Sequence, residues 1–484
     1  MSTAIWWIRR DLRLTDNQAL SAACQGNDQV IPLFILDPIV LESRWASQQR
    51  TAFLFAGLRA LDDALRERGS RLFVRQGEPS AVLTHLVTES GATQIHAERD
   101  HSPYAQRRDA AIAAGLPLTL HEGVTVRPLT AVTKQDGTPY LVYSPYRQRW
   151  LAHGPLTQAN ILSTPTLPAT PTNLESLPIP TEPALAVRIP FPPGEAEAKR
   201  RLGHFVKGIG APAYDYANGH NRPAYNATSQ LSPYLRFGMI SARLAALAAY
   251  TAIEQAPTEA GREGANLWLS ELIWRDFYSG VMYHFPQVRY GSYRAGFDQV
   301  AWTNDEGHFA AWCEGRTGYP FVDAAMRQLR TLGWMHNRAR MVAASFLIKD
   351  LLIDWRWGER WFMQQLIDGD PAANNAGWQW VAGTGVDAAP YFRVFNPITQ
   401  GKKFDPQGDY VRQWVPELQN VPSTLIHTPW QMSEDEQQKA DCYIGEDYPP
   451  PLVDHEWARD RMLAAYKAVR QKKESSVNRE QKAI

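Results

Sequence analysis

Between Pro155 and Pro193, ten of 39 residues are proline, with serine and threonine scattered among them. Each proline fixes its own φ, withdraws a backbone N–H and disfavours helix in the residue before it, so neither a long helix nor a central strand forms here. A segment of this length without regular structure is uncommon inside one compact domain and reads as an extended connection. The chain of 484 residues also exceeds the ~250 to 300 at which single cores stop growing, so two bodies are expected. The layout is an N-terminal domain over 1–135, a linker over 136–199, a C-terminal domain over 200–465 and a charged tail over 466–484.

The two bodies differ in pattern. Before the linker, the β-rich runs AIWWIR, VIPLFIL, RLFVR and TQIHA alternate with helical stretches near residues 48–68, 78–90 and 102–114. That alternation predicts an α/β domain with a doubly wound parallel sheet. After it, runs such as ISARLAALAAY repeat apolar residues at helical spacing, which predicts an all-α domain. Tryptophan follows the same division, with four residues in 1–200 and thirteen in 201–484. The closing KAVRQKKESSVNREQKAI is polar and charged and reads as a solvated end.

Several classes of function are excluded. Fifty basic against fifty acidic residues leave no net field to draw in a polyanion, so any nucleic-acid contact needs a local patch. No apolar run is long enough to span a bilayer, and MSTAIWWIRRDLRL meets arginine too early for a secretion signal, which predicts a cytoplasmic protein. Cys24, Cys313 and Cys442 are far apart and outside any CxxC pattern, so neither disulfides nor a thiolate metal site are expected. The first strand runs into RRDLRLTDN with no GxGxxG and no P-loop, and none of the twelve histidines makes a zinc pattern.

Four stretches carry chemistry. In WLSELIWRDFY, Trp268, Glu271, Trp274, Arg275 and Tyr278 share about one third of a helix circumference. That face is either a core stripe with a Glu271–Arg275 ion pair, or an aromatic platform with a carboxylate aimed at a ring. In HNRARM, Asn337, Arg340 and Met341 fall on one side while Arg338 projects elsewhere. Residues 325–360 hold seven basic and three acidic side chains, either a solvated helix face or a polyanion patch. DGDPAANNAGWQW predicts a tight turn before a helix, bringing Asp368, Asp370 and Asn374 together. Such a cluster suits a ligand with hydroxyls and ring N–H groups better than a divalent cation, since no octahedral ligand set is present. In TSQLSPYLRFG, Thr228, Ser229 and Ser232 precede a helix and form either a plain cap or an anion site. Trp302, Trp355 and Trp378 read as core on composition alone.

Taken in order, RRDLRLTDN, TSQLSP, WLSELIWRDFY, TGYPFVDAAMRQLRTLGWMHNRARM, ASFLIKDLLIDWRWGE and DGDPAANNAGWQW closely resemble the photolyase and cryptochrome family, and most of all its bacterial class I cyclobutane pyrimidine dimer photolyases. The resemblance runs from Trp7 to about Pro450. It implies FAD in the helical domain and UV-damaged DNA as partner, with the dimer flipped out and split by an electron from light-excited reduced FAD. The enzyme would be a deoxyribodipyrimidine photo-lyase acting as a monomer with no obligate protein partner. Tyr216, Thr228, Ser229, Gln230, Leu231, Ser232 and Trp268 would contact FAD, together with Arg340, Asp368, Gly369 and Asp370, and Asn374 would face flavin N5. Arg340 would pair with the first aspartate of DGD. Glu271, Trp274, Arg275, Tyr278, Asn337, Arg338, Met341, Trp380 and Gln400 would meet the dimer or its DNA. Trp378, Trp355 and Trp302 would relay electrons inward to FAD.

Two departures stand out, His220 where the family often has arginine and Ala376 where it usually has glycine. An antenna chromophore is implied in the N-terminal domain. Tyr104-Ala105 in place of the folate-binding Asn-Glu pair favours 8-hydroxy-5-deazaflavin over folate or a flavin, with Asp37 and Asp100 as its contacts. Asn374 and the Glu271, Trp274 and Met341 set favour repair over a cryptochrome photoreceptor, the alternative reading. His336-Asn337 in place of a His pair argues against repair of (6-4) photoproducts.

Overall fold

The computed structural model describes residues 2–482, and for Arg470 and 472–482 the backbone alone, so residues 483–484 of the expected tail lie outside the described residues. Two compact units emerge, one of Met1–Asn218, Ala227–Pro286 and Ile367–Ala373, the other of Gly219–Asn226, Gln287–Leu366 and Asn374–Ile484.

In the first unit, β1 (Thr3–Ile8), β2 (Gln29–Leu36), β3 (Phe73–Gln76), β4 (Gln94–Glu98) and β5 (Leu118–His121) form a parallel sheet in the order β3-β2-β1-β4-β5. All six residues of β1 are buried, as expected of a strand covered on both faces, which is why it reads as an unbroken apolar run. The expected helices appear as α1 (Gln48–Arg66), α2 (Pro79–Ser90) and α3 (Pro103–Ala113). Ser47, Glu78 and Ser102 cap them by accepting from backbone N–H groups, and Pro79 and Pro103 sit where the first turn has no use for an N–H. Strand β5 was not foreseen, because LTLH is a short, half-buried edge strand without an apolar run. The direction of winding reverses between β1 and β4, and α/β sheets open a crevice at such a point beyond the strands' C-terminal ends. Arg9 to Asp11 and Arg99 to Ser102 follow those two strands.

Within residues 136–199 the chain forms the helix α4 (Tyr143–Leu151), one 3-10 turn, Gln158–Asn160, and the opening turn of a helix over Glu195–Val206, so the expected linker ends in helix. Helices α5 (Ser232–Phe237), α6 (Ala242–Glu254) and α7 (Glu259–His284) belong to the same unit as the sheet. The Leu12 N–H donates to Phe237 O at 3.1 Å, drawing the loop after β1 against α5. Gly238 ends α5 at φ +62°, and a Cβ there would meet Arg10 O at 1.8 Å, so only glycine permits this approach. Asp276 of α7 accepts from Val126 N–H, Arg127 N–H and Trp150 Nε1–H at 3.0 to 3.1 Å, which anchors α7 to α4 and to the loop after β5.

The second unit is mostly helical, with α8 (Pro320–Leu332), α9 (Asn337–Ser345), α10 (Trp355–Gln365), α11 (Pro371–Ala382, its first turn in the other unit) and α12 (His455–Lys482). Its core gathers Trp312, Phe321, Phe346, Trp355, Phe362 and Trp378. The indole N–H of Trp312 donates to Ala343 O at 3.0 Å, meeting the usual demand of a buried tryptophan. A π-turn over Phe346–Asp350 follows α9 and carries Lys349 inward. Its ammonium donates to Tyr391 O at 3.0 Å and lies 4.4 Å from the Tyr466 ring, and burial pushes it down to about 7. Met462, Tyr466 and Val469 of α12 are buried with Leu352 and Val300, so the opening residues of the expected tail are packed. Among the described residues, no helix is long and apolar enough to cross a membrane.

Candidate active site

The first unit brings together most of the residues singled out on α7. Trp268 is buried and meets Phe205 edge to face at 4.9 Å, and Tyr216 meets the same phenylalanine at 5.9 Å. Burial, reinforced by Glu271, raises the Tyr216 phenol well above its ordinary range. Glu271 lies one turn beyond Trp268. Solvent reaches its side chain, yet the protein gathered around it removes enough water to push the carboxyl up to about 7. The core-stripe alternative, with Arg275 neutralising Glu271, is not what forms. Arg275 turns inward and donates to Val124 O at 2.7 Å and Leu235 O at 3.3 Å. Trp274 is half-buried, with Tyr278 tilted against it at 5.2 Å and Tyr143 of α4 lying parallel to it at 3.5 Å.

The TSQLS segment folds differently from a plain cap. Leu231 takes the cap position without a side-chain bond and Ser232 is already the first helical residue, because Pro233 follows in the opening turn. Gln230 adopts φ +50° and its side-chain oxygen accepts from Arg201 at 3.1 Å. Thr228 and Ser229 are half-buried on the approach.

The DGD turn is set by three arginines distant in sequence. Arg10 bonds Asp370 at 2.5 Å and Arg236 Nε donates to Gly369 O at 2.8 Å. Asp370 Oδ1 also accepts from Ala372 N–H at 2.9 Å and Ala373 N–H at 3.1 Å, opening α11. Burial alone would raise this carboxyl, but Arg10, Arg236 and Arg275 outweigh it and hold it at about 2. Burial, with Arg10 adding to it, pushes the Arg236 guanidinium down to about 9. Asp368 is buried beside them in sequence. Sequence reading missed Arg10 entirely, since its partner is 360 positions away.

In the second unit, Asn337 is exposed at the start of α9 and its amide reaches Met341 Sδ at 3.8 Å. Arg338 donates twice to Asn221 Oδ1, at 3.0 and 2.6 Å, and lies 4.5 Å over Phe404. Arg340 Nε donates to Met335 O at 2.7 Å. Gln400, on the helix Pro397–Phe404, has a buried side-chain oxygen without a hydrogen-bond partner. Trp380 is half-buried against the core. The amide of Asn374 donates to Glu359 O at 3.0 Å, and Glu359 is paired with Arg289 at 2.6 Å. Ala376 is half-buried two residues on. His220 contacts the Asn221 amide at 2.8 Å.

The basic excess over 325–360 overstates the free charge. Lys349 is buried, Arg327 pairs with Glu417 at 2.8 Å and Arg356 with Asp354 at 2.7 Å. The three tryptophans grade in exposure, with Trp378 and Trp355 buried and Trp302 half-buried. Trp302 meets Tyr466 edge to face at 6.0 Å, and its indole N–H has no partner.

Asp37 and Asp100 are both engaged. Asp37 caps the short helix Pro38–Leu41 and accepts from the Tyr104 hydroxyl at 2.5 Å. Asp100 accepts from Ser102 N–H at 2.9 Å and lies 3.5 Å from Arg10, which holds it well below the usual carboxylate range against the opposing effect of burial. Arg10, Asp100, His101, Ser102 and Asp370, with Val124 and Met282, line a small cavity at the sheet's reversal point. No cluster of three or more metal-ligating side chains occurs among the described residues.

Known proteins match this arrangement over nearly its whole length. Residues 4–170 match the family described as DNA photolyase, and residues 268–468 the one described as FAD binding domain of DNA photolyase. A deoxyribodipyrimidine photo-lyase of Escherichia coli is 39% identical over 490 residues, covering 98% of this chain and all of the relative. Among solved structures, a class III photolyase from Agrobacterium tumefaciens superimposes with a TM-score of 0.89 at 38% identity, covering 97% of this chain and 98% of the other. An archaeal photolyase from Sulfolobus tokodaii, described with two FAD molecules, gives 0.81 at 33% identity, covering 96% and 100%. With both halves matched in order, the chain belongs to the photolyase and cryptochrome family.

Proposed function

We propose that this protein is a light-driven DNA repair enzyme, a deoxyribodipyrimidine photo-lyase that splits cyclobutane pyrimidine dimers flipped out of UV-damaged DNA. The observation that carries the reading is Glu271, a carboxyl raised to about 7 on the same helix face as Trp268 and Trp274. At neutral pH a substantial fraction of it is protonated and can donate to a pyrimidine carbonyl, where charge grows as the dimer accepts an electron. Trp274 offers a flat surface for the extruded base, a contact worth ~1 to 3 kcal/mol. Extrusion costs a few kcal/mol and less for a lesion that already distorts its stack, so the pocket selects damage partly by that difference. The family resemblance assigns Asn337, Met341, Tyr278 and Trp380 to the dimer as well, and Arg338 and Gln400 to DNA.

The donor chemistry fits FAD. Thr228, Ser229, Gln230, Leu231 and Ser232 present hydroxyls and backbone amides suited to a diphosphate, with Tyr216 and Trp268 beside them in the unit. Asp370, kept ionised by its arginines, and Asp368 and Gly369 suit ribityl hydroxyls, and the family resemblance adds Arg340 to the cofactor's contacts. Asn374, its amide held by Glu359 O, suits the ring edge at N5. When bound and reduced, FAD supplies the electron that opens the cyclobutane ring. Trp302 is half-buried while Trp355 and Trp378 are buried, which suits Trp302 as the outer member of such a relay. For the antenna, Asp37 and Asp100 as placed are taken by Tyr104 and Arg10, so they do not fit a chromophore.

The enzyme acts in the cytoplasm as a monomer. The test is anaerobic repair of dimer-containing oligo(dT) by the reduced flavoprotein under blue light, read as recovery of thymine absorbance against a dark control. Light-dependent recovery is expected. Its absence with FAD bound and reduced refutes the reading in favour of a photoreceptor or another lesion.

A further inference from the structure

Helix α4 lies in the stretch that the sequence assigns to the linker, yet one of its faces docks on the middle of α7. Tyr143, Arg147 and Trp150, at i, i+4 and i+7, share that face. The Tyr143 hydroxyl donates to Ser270 O at 2.9 Å, Arg147 Nε to Ser270 Oγ at 3.2 Å and Trp150 Nε1 to the buried Asp276 at 3.0 Å. Tyr146 packs on Phe277 with ring centres 5.1 Å apart. These contacts place the Tyr143 ring flat on Trp274, with centroids 3.5 Å apart and planes 5° from parallel. The other aromatic neighbours of Trp274 meet it at steeper angles, Phe277 at 76° and Tyr278 at 39°. One face of the indole is thus covered by a ring whose own hydroxyl is tied to the α7 backbone.

A half-buried tryptophan on a helix with no ring beneath it can swing between rotamers, and each base that stacks on it must first freeze that motion. A tyrosine held parallel beneath it removes the freedom in advance, because any rotation of the indole breaks the stack. We propose that Tyr143 is a positioning residue for lesion recognition, fixing Trp274 so that its opposite face receives the extruded pyrimidine dimer. The proposal rests on Trp274 being the stacking platform. Tyr143 touches neither the dimer nor the cofactor in this scheme. Its contribution appears in affinity for the lesion and not in the yield of splitting once bound.

The experiment measures, in the dark, the affinity of the FAD-loaded full chain for an oligonucleotide with one thymine dimer and for the undamaged sequence, followed by repair per absorbed photon at saturating dimer. Tyr143→Leu is expected to weaken dimer binding about fivefold, in line with the loss of one aromatic pair, with undamaged binding and saturated yield unchanged. Tyr143→Phe, which keeps the ring and loses only the hydroxyl, should stay within about twofold of the wild type. In a Trp274→Ala background, Tyr143→Leu should have no further effect, since its action passes through the indole. Unchanged dimer affinity in Tyr143→Leu, equal loss for undamaged DNA, or additive losses in the double variant would each overturn the proposal. A Trp274→Ala protein that binds the dimer like the wild type refutes the platform itself, a separate failure. Where the leucine variant does not fold, Tyr143→Met, whose flexible side chain fills gaps without offering a flat ring, is read in the same way.

Discussion

Glu271 makes repair per photon depend on pH in a direction that can be worked out in advance. Its carboxyl ordinarily titrates at 4.5 and is pushed up to about 7 by loss of water around it. If only the protonated form donates to the dimer's carbonyl, the competent fraction is about nine in ten at pH 6 and about one in ten at pH 8. A bound dimer removes still more water, so the midpoint in the complex moves upward and never below that of the free enzyme. Repair per absorbed photon at saturating dimer should therefore fall severalfold between pH 6 and pH 9.5. Glu271→Gln donates at every pH and should give a flat profile. The assay is thymine recovery under monochromatic light with pre-reduced enzyme, with dimer affinity measured in parallel to separate binding from yield. A wild-type yield that does not fall across this range, or a glutamine variant that falls in parallel with it, would refute the reasoning. A raised carboxyl pKa stabilises the fold below the unfolded value of 4.5 and loses that contribution as pH rises through about 7. Thermal melts should accordingly show the wild type falling behind Glu271→Gln above neutrality and matching it near pH 4.

Gly358→Ala places a Cβ 2.1 Å from the Trp378 ring and 2.6 Å from Leu347 Cδ2, so the indole must shift. A loss of about 1 to 3 kcal/mol in denaturant titration and slower photoreduction of bound FAD are expected. Trp302→Phe should slow photoreduction by external donors while chemically reduced enzyme repairs normally, and loss of both activities would contradict the relay. Arg10→Ala leaves the half-buried Asp370 without its nearest cation and should release FAD on gel filtration. Affinity for damaged DNA should fall as salt rises, since phosphate contacts release counterions even though net charge is zero. A flat plot of log affinity against log salt would contradict a basic DNA surface.

What the sequence revealed and what it hid follow from the range over which each interaction acts. Strands β1, β2 and β4 and helices α1 to α3 were legible because burial on both faces, caps and first-turn prolines all lie within a few residues of the element they specify. Strand β5 was not, since an edge strand of four residues, none of them buried, gives no periodic signal. The proline count over 155–193 announced an irregular connection, and residues 152–194 hold only one short turn. Helix α4 escaped notice just ahead of it, although Tyr143, Tyr146 and Trp150 already stand at i, i+3 and i+7. The aromatic face of α7 was readable from its spacing, but the direction taken by Arg275 was not. A local rule offered Glu271 at i−4, and two carbonyls from distant segments won because they satisfy a buried guanidinium without a second charge. The arginine cluster around DGD was invisible for the same reason, being assembled from residues 10, 236 and 275.

The pair of Arg10 and Asp370 also has a consequence in time. Its two members are 360 positions apart, while the rest of the sheet is complete by His121. At synthesis rates of about 5 to 20 residues per second, the carboxylate leaves the ribosome about 18 to 72 seconds after the arginine does. Through that interval the nascent α/β body carries Arg10 at its crevice with Asp100 as the nearest counter-charge, and later Arg236 joins it as a second cation. Closure of the crevice therefore waits for a segment of seven residues, Ile367–Ala373, delivered late in translation, and chains halted before it should remain sensitive to proteases at the loop after β1.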